Sequence, residues 1–302
     1  MDANFIARPC SVCGAAAADC AVFLKENVNL AAVTSTSYAS RKEPEFMNYE
    51  LRRCPRCGTV FAPNVPKADA IIHAYHQADF DSAIEARQAA ATYARAITPH
   101  LAGLGRRAAL EVGTGSGAFL HYLRDEGFAR VIGVEPSRAA IDAAEPDIRP
   151  LIREGIFSDG DYEPESFDLI CCFMTFEHVP EPLELMRSFH RALARGGKVA
   201  LVVHDYRAPV NRLLGRRSPI IDIEHLQIYC RQSVETLFAA AGLASTVVSP
   251  LTNAYRLAYW LRLLPLAPTG RKAVIAAAAA LGVAESVVSI NVGNMFCVAT
   301  KP

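Results

Sequence analysis

Four of the nine cysteines fall into two C-x-x-C-G steps, "CSVCG" (Cys10, Cys13) and "RCPRCG" (Cys54, Cys57). A glycine directly after each pair permits a tight turn that aims two thiolates at one point. Two such turns complete a tetrahedral four-sulfur zinc site. The gap of 40 residues between the pairs needs a hairpin or small sheet to close it. A redox C-x-x-C and a chance pairing are the competing readings, and two glycine-backed steps in one N-terminal segment favour zinc. Four cysteine ligands leave no position open for catalysis, so the site would be structural and substrate-shaping. Cys20, Cys171, Cys172, Cys230 and Cys297 sit mostly in apolar contexts and read as buried small hydrophobes.

A second constellation is "EVGTGSG", residues 111–117, between the apolar Ala108-Ala109-Leu110 and the helical pattern "AFLHYL". Gly113, Gly115 and Gly117 at alternate positions allow backbone N–H groups to approach a ligand without interference from a Cβ. The next strand pattern, "VIGVE", ends in Glu135, 18 residues past Gly117 and directly before Pro136. A carboxylate there could accept both hydroxyls of a ribose. A dinucleotide G-x-G-x-x-G would put its third glycine at position 118, which is Ala118.

Strands and helices must position these groups. Residues 1–66 read as the zinc-binding module, ending in "GTVFAP" and the punctuation "PNVP". An alanine-rich helical connector fills 67–105. From 106 to 302 short apolar runs ("AALEVG", "VIGVEPS", a weak "PLIREG", "FDLICCF", "KVALVVHD", "STVVS", "NMFCVATK") alternate with helical patterns of about ten residues. That alternation implies βαβ crossovers and a parallel sheet covered on both faces. A mostly helical insertion occupies about 250–293, before the last strand.

With 51% hydrophobic residues the chain can bury a large core, and 31 basic residues balance 31 acidic ones. That neutrality lacks the broad positive field of most nucleic-acid binders, so no nucleic-acid partner is expected. "MDANFIARPC" has no basic region followed by an apolar run and does not read as a signal peptide. The late apolar stretch Ala273–Ala284 falls well short of the roughly 20 residues a membrane span needs. A soluble, cytoplasmic protein is expected.

Four blocks in order resemble the class I S-adenosylmethionine-dependent methyltransferases: Glu111-Val-Gly-Thr-Gly-Ser-Gly117, Glu135, "ESFDLICCFMTFEHVPEP" and "ARGGKVALVV". The resemblance covers about residues 106–250 and the last strand. It implies an α/β, Rossmann-like sheet of order 3-2-1-4-5-7-6 with the last strand antiparallel, and S-adenosylmethionine as cofactor. By the same resemblance Glu111, Gly113, Thr114, Gly115 and Gly117 form the cofactor loop, and Glu135 with Pro136 the ribose end. Adenine would lie near Gly155, Ile156 and Phe157, and the methionine end near Gly113 and Phe173.

Substrate meets cofactor after the fourth strand in such enzymes, which brings forward Glu177 and His178 of "FMTFEHVP". His178 could take a proton from a hydroxyl or a carbon acid, and Glu177 could hold its tautomer or bind substrate. The zinc module, helices and Glu-His pair together are similar to the deoxysugar C-methyltransferases that act on nucleotide-linked sugars. That resemblance implies Tyr75 as a further site residue. The sequence departs from them in having no counterpart of their C-terminal domain after the last strand. C-methylation of a ketosugar and O-methylation of a sugar or another small hydroxylated metabolite therefore both stand open, with a sugar or nucleotide sugar favoured as acceptor.

His225, in "DIEHLQIYC", precedes a helix where related enzymes close over substrate, and is a further candidate. His204 and Asp205 end the fifth strand, while His73 and His76 read as ordinary helix residues. The insertion, with Trp260, reads most simply as a helical lid. The alternatives are a hydrophobic wall for an aromatic, quinone-like or lipid-linked acceptor, or a membrane-surface contact. An O-methyltransferase of a phenolic metabolite is the rival enzyme. A zinc ribbon that binds nucleic acid or protein on a methyltransferase scaffold is the rival from outside enzymes.

Overall fold

A computed structural model describes residues 5–29, 33–38, 44–78 and 83–302. Its centre is a seven-stranded sheet: β1 (Ala108–Val112), β2 (Arg130–Glu135), β3 (Ile152–Glu154), β4 (Phe167–Phe173), β5 (Leu193–His204), β6 (Ala244–Arg256) and β7 (Val287–Thr300). The spatial order is β3-β2-β1-β4-β5-β7-β6, and β7 runs antiparallel to both of its neighbours.

The helices are α1 (Ala68–His76), α2 (Ala83–Ile97), α3 (Ala118–Asp125), α4 (Arg138–Asp142), α5 (Pro182–Ala192), α6 (Pro209–Leu214), α7 (Arg231–Ala240), α8 (Leu257–Arg262) and α9 (Pro268–Ala280). Both β1 and β4 are buried at every residue, as strands sandwiched between helix layers must be. Side chains alternate between the two faces. Leu110 and Cys172 join Met186 and Phe189 of α5 and Leu237 of α7 on one face. Ala109 and Cys171 join Tyr93 of α2 and Phe119 of α3 on the other. The adjacent cysteines thus serve opposite cores. No helix among the described residues is long and apolar enough to cross a membrane.

The insertion differs from its expected helical character. Residues 250–256 and 287–293 are strand: β6 and β7 run on as a long antiparallel ribbon, paired out to Arg256 and Val287, and only α8 and α9 at its tip are helical. "VVSINVG" carries the alternation of a strand, but the alanine-rich run before it dominates a helical reading. The connector contains α1 and α2, and its residues 79–82 lie outside the described residues.

The N-terminal module is not closed at residue 66. Its four-stranded sheet is built from Ala21–Leu24, Leu51–Arg53, Val60–Phe61 and, from far along the chain, Gln227–Ile228. The last pairs antiparallel with Val60 and Phe61. The core also clasps the second cysteine step. Tyr206 Oη donates to the Gly58 carbonyl at 2.7 Å, and Gln232 Nε2 donates to the Arg56 carbonyl at 3.0 Å.

Candidate active site and metal centre

A cavity of about 1100 Å³ opens at the carboxyl ends of β1, β2 and β4, where the loops after the strands converge. The loop after β1 is tied to β2, because the Gly113 and Thr114 N–H groups both donate to the Val134 carbonyl, at 2.9 and 3.2 Å. Thr114 Oγ1 donates to the Glu111 carboxylate beneath it. At Gly113 (φ 75°) a Cβ would lie 2.2 Å from Thr175 Oγ1, so only glycine lets the loop meet the turn after β4. Gly117 is a correction. It does not line the cavity: it sits at the N-cap of α3 with φ 74°, and a Cβ there would lie 2.4 Å from Ile148 Cγ2. Its task is close helix packing.

Glu111, Gly113, Thr114, Gly115, Glu135, Pro136, Ile156, Phe157 and Phe173 all border the cavity. The Glu135 carboxylate accepts the Gly115 N–H on Oε2 at 2.7 Å and the Ser137 N–H on Oε1 at 2.8 Å. Burial raises its pKa, and those two N–H groups oppose the rise. Phe157 stacks on Tyr162 with ring centroids 5.6 Å apart. Phe173 is held between Tyr93 and Phe119, at 4.6 and 4.9 Å.

At the other end of the cavity, three separate segments bring Tyr75, His178, Glu224 and His225 together. Tyr75 Oη donates to Glu224 Oε2 at 3.5 Å, and the same oxygen lies 3.7 Å from His178 Nδ1. Both nitrogens of His178 face backbone carbonyls: Nδ1 is 3.1 Å from that of Glu224, and Nε2 is 3.2 Å from that of Met174. His225 presents Nδ1 to the Ile220 carbonyl at 2.8 Å, with its ring centroid 4.9 Å from that of His178. Glu224 shares the segment "DIEHLQIYC" with His225, and Glu224-His225 repeats the residue types of Glu177-His178.

Glu177 is the second correction. It is fully buried, does not line the cavity, and accepts the His204 N–H on Oε1 at 2.6 Å. Its Oε2 finds no hydrogen-bond partner among the described residues. Burial pushes its carboxyl up to about 7. The side chain turned inward braces the end of β5 and cannot meet an acceptor. His204 borders the cavity; burial pushes it down to about 4, with Nδ1 2.8 Å from Asn294 Oδ1. His76 instead pairs with Glu154 in an exposed position.

Beyond this polar cluster Tyr255, Leu257, Trp260, Leu261 and Leu264 from the ribbon and its tip, with Val210 and Leu214 of α6, add apolar wall beside Asn211, Asn253 and Asn294.

The cysteine steps converge as their spacing requires. Gly14 N–H donates to the Cys10 carbonyl at 2.9 Å and Gly58 N–H to the Cys54 carbonyl at 3.0 Å, which closes the two turns. Cys10 and Cys57 Sγ lie 3.5 Å apart, as do Cys13 and Cys54 Sγ. All four thiols fall within 4.8 Å of one another. Bonds of ~2.3 Å to a central zinc would set tetrahedral sulfur–sulfur edges of ~3.8 Å, so the donor set fits the metal. His178, Glu224 and His225 also approach one another within that range. There, however, carbonyl oxygens against both nitrogens of His178 oppose an ion.

A family model described as a methyltransferase domain matches residues 83–248, more than half of the chain. The chain belongs to this methyltransferase family. The four clustered cysteines, Cys10, Cys13, Cys54 and Cys57, lie outside the matched range, whereas α2 lies within it.

Among curated proteins, the methyltransferase is similar to a ubiquinone biosynthesis O-methyltransferase of Idiomarina loihiensis, 30% identical over 109 residues that cover 34% of this chain and 44% of that one. A protein of the same name from Pseudomonas aeruginosa is 29% identical over 109 residues, 33% of this chain and 45% of the other. The chain thus spans less than half the length of the curated relatives it matches. Among solved structures, one is a Thermotoga maritima S-adenosylmethionine-dependent methyltransferase described as a possible histamine N-methyltransferase. It is 19% identical, covers 73% of this chain and 93% of its own, and has a TM-score of 0.48. The geranyl diphosphate C-methyltransferase of Streptomyces coelicolor is 16% identical, covers 70% and 79%, and has a TM-score of 0.47.

Proposed function

We propose that this methyltransferase transfers the methyl group of S-adenosylmethionine to a hydroxyl oxygen of a small acceptor with an apolar, ring-bearing body of phenolic or quinone-like chemistry. The bound sulfonium supplies an activated methyl; the chain's own residues hold and orient the partners and manage one proton. In this reading Glu135 accepts the ribose hydroxyls, Ile156 and Phe157 flank the adenine, and the backbone at Gly113 and the ring of Phe173 border the methionine end.

The observation that carries the reading is the 2.8 Å contact of His225 Nδ1 with the Ile220 carbonyl. A carbonyl oxygen only accepts, so the Ile220 contact commits Nδ1 to a proton and makes Nε2 the basic nitrogen. His225 then takes the acceptor's hydroxyl proton as the oxygen bonds to the methyl carbon and the carbon–sulfur bond breaks, releasing S-adenosylhomocysteine. His178 suits a different role. Only an imidazolium donates to both of its carbonyl partners, and the Glu224 carboxylate beside it balances that charge. The pair would orient the acceptor while Tyr75 fixes Glu224.

The apolar walls favour a ring-bearing body over a sugar, and the curated relatives named for ubiquinone biosynthesis point the same way. Leu213 (87% exposed) follows Arg212 on α6 and precedes Arg216 and Arg217 in the chain, and Leu264 and Leu266 are exposed after α8. That mixture supports presentation of a lipid-linked acceptor from an anionic membrane surface. Co-sedimentation with phosphatidylglycerol vesicles but not with phosphatidylcholine vesicles is the expected result. In the same proposal the four cysteines hold one structural zinc, which orders the N-terminal module against the core.

The test is transfer of a labelled methyl group to parallel panels of catechols, hydroquinones, polyprenylated phenols and nucleotide sugars, with the product's methyl position read by NMR. An O-methyl phenolic product is expected. Transfer to nucleotide sugars alone would replace this reading by the sugar one.

A further inference from the structure

Arg8 lies two residues before the first cysteine ligand and is buried with its guanidinium among backbone carbonyls. Its Nε donates to the Ala62 carbonyl at 2.9 Å, inside the cysteine module. One terminal nitrogen donates to the Pro180 carbonyl, in the turn just after His178. The other donates to the Leu226 carbonyl at 2.8 Å and to Gln227 Oε1 at 3.1 Å, in the segment just after Glu224 and His225. One planar fork therefore joins three segments that are remote in sequence. A lysine ammonium, a single point with no such fork, cannot bridge them in the same way.

The two active-site segments are stitched to each other at the same place. Leu226 N–H donates to the Glu177 carbonyl at 2.9 Å. Gln227 Nε2 lies 2.7, 3.0 and 2.9 Å from the carbonyls of Phe176, Glu177 and Val179. Arg8 anchors this stitch to the module. Only Pro9 separates it from Cys10, and the fixed φ of proline leaves little play between the guanidinium and the cysteine turn. Burying a cation is costly unless its donors are met. Here the donors are met by backbone carbonyls and Gln227 Oε1, and the nearby Glu181 carboxylate favours the charge.

We propose that Arg8 is a positioning residue that couples the metal-held cysteine turn to the loops carrying His178, Glu224 and His225, so that metal loading sets the geometry of the acceptor end and leaves the cofactor end alone. The inference rests on the proposed zinc and on the proposed acceptor end. It predicts that loss of either Arg8 or the metal blurs the His225 tautomer, whereas the Glu135 end keeps its ligand.

The experiment uses the zinc-loaded full chain, labelled with ¹⁵N, as wild type, Arg8→Met and Arg8→Lys. Four quantities are read: zinc content, S-adenosylhomocysteine affinity by calorimetry, imidazole tautomers from long-range ¹H–¹⁵N spectra, and exchange of the Leu226 amide. For Arg8→Met the expected outcome is retained zinc and S-adenosylhomocysteine affinity within about twofold of wild type. Leu226 exchange should be roughly tenfold faster, the scale of one lost hydrogen bond. The single Nδ1–H form of His225 should give way to a mixture, and chelating zinc from the wild type should reproduce that mixture. Unchanged imidazole and Leu226 signals in the variant would overturn the proposal. Equal losses at the S-adenosylhomocysteine site would do so too, because they would show general loosening. If Arg8→Met does not fold, Arg8→Lys decides by the same signals, with an intermediate change expected and no change fatal. None of these readouts needs the acceptor, so failure of the substrate panel leaves the outcome readable.

Discussion

The Nδ1 of His225 lies 2.8 Å from the carbonyl oxygen of Ile220, and in the proposed mechanism that contact leaves Nε2 as the basic nitrogen. His178, the stronger candidate on sequence grounds, has a carbonyl at each nitrogen instead. Replacing His225 by Asn should therefore lower kcat by roughly 10²–10⁴, the usual weight of a general base. His178→Asn should cost about tenfold, mainly in KM. Initial rates on whichever acceptor supports transfer check this, and a larger kcat loss at His178 would reverse the two roles.

Glu135 meets two backbone N–H groups from opposite sides, one per oxygen. In Glu135→Gln an amide nitrogen must face one of those donors, and the charge that would receive the ribose hydroxyls is gone. S-adenosylhomocysteine should bind roughly 10- to 100-fold more weakly, the scale of one or two lost charge-assisted bonds. Calorimetric titration measures it directly; an unaltered Kd would remove Glu135 from the cofactor site.

Glu177 gives a pH signature with a definite sign. Its folded carboxyl, at about 7, stands above the ordinary 4.5, so the native state holds the proton more tightly than the unfolded chain does. Stability is then greatest below the unfolded value and falls as pH rises through the folded one. Glu177→Gln removes the buried charge. Its melting temperature should match wild type near about pH 5 and exceed it near about pH 8, where the difference is on the order of 3 kcal/mol. An offset that stays flat over that range would show that the carboxyl does not titrate there.

Cys54→Ser should bring zinc content from one per chain to near zero. Because the module's sheet is completed by Gln227–Ile228, the loss should also destabilise the core, by several kcal/mol. Elemental analysis and thermal unfolding report the two effects separately. Retention of one metal per chain would dismiss the four-cysteine site.

Features set by short-range pattern were legible in the sequence. Continuous apolar runs such as "FDLICCF" marked buried strands, the glycine at 113 marked a close approach, and the C-x-x-C-G steps marked two turns aimed at one point. Features set by long-range pairing were not. Nothing local shows that Val287–Gly293 pairs with β6 rather than continuing the helix before it, because the alternation is legible only once its partner strand is known. The Glu-His pairs illustrate the same limit. Residues 177–178 and 224–225 carry identical types, and only the packed structure turns the first glutamate inward under His204 and the second toward Tyr75. Arg8 was invisible for a further reason: its partners are backbone carbonyls, which every residue possesses.

The strand Gln227–Ile228, which closes the N-terminal sheet, also sets an order of events during synthesis. Val60 and Phe61 leave the ribosome more than 160 residues before their partners exist. At roughly 5–20 residues per second that is a wait of about 8 to 30 s with an unpaired apolar edge. The cysteine turns, complete once Cys57 has emerged, can capture metal during that interval and hold the edge in a compact hairpin. If the four cysteines hold zinc as proposed, a nascent chain deprived of it would meet this exposed stage without that clamp, and metal supply at the time of translation would govern how much chain reaches the native state.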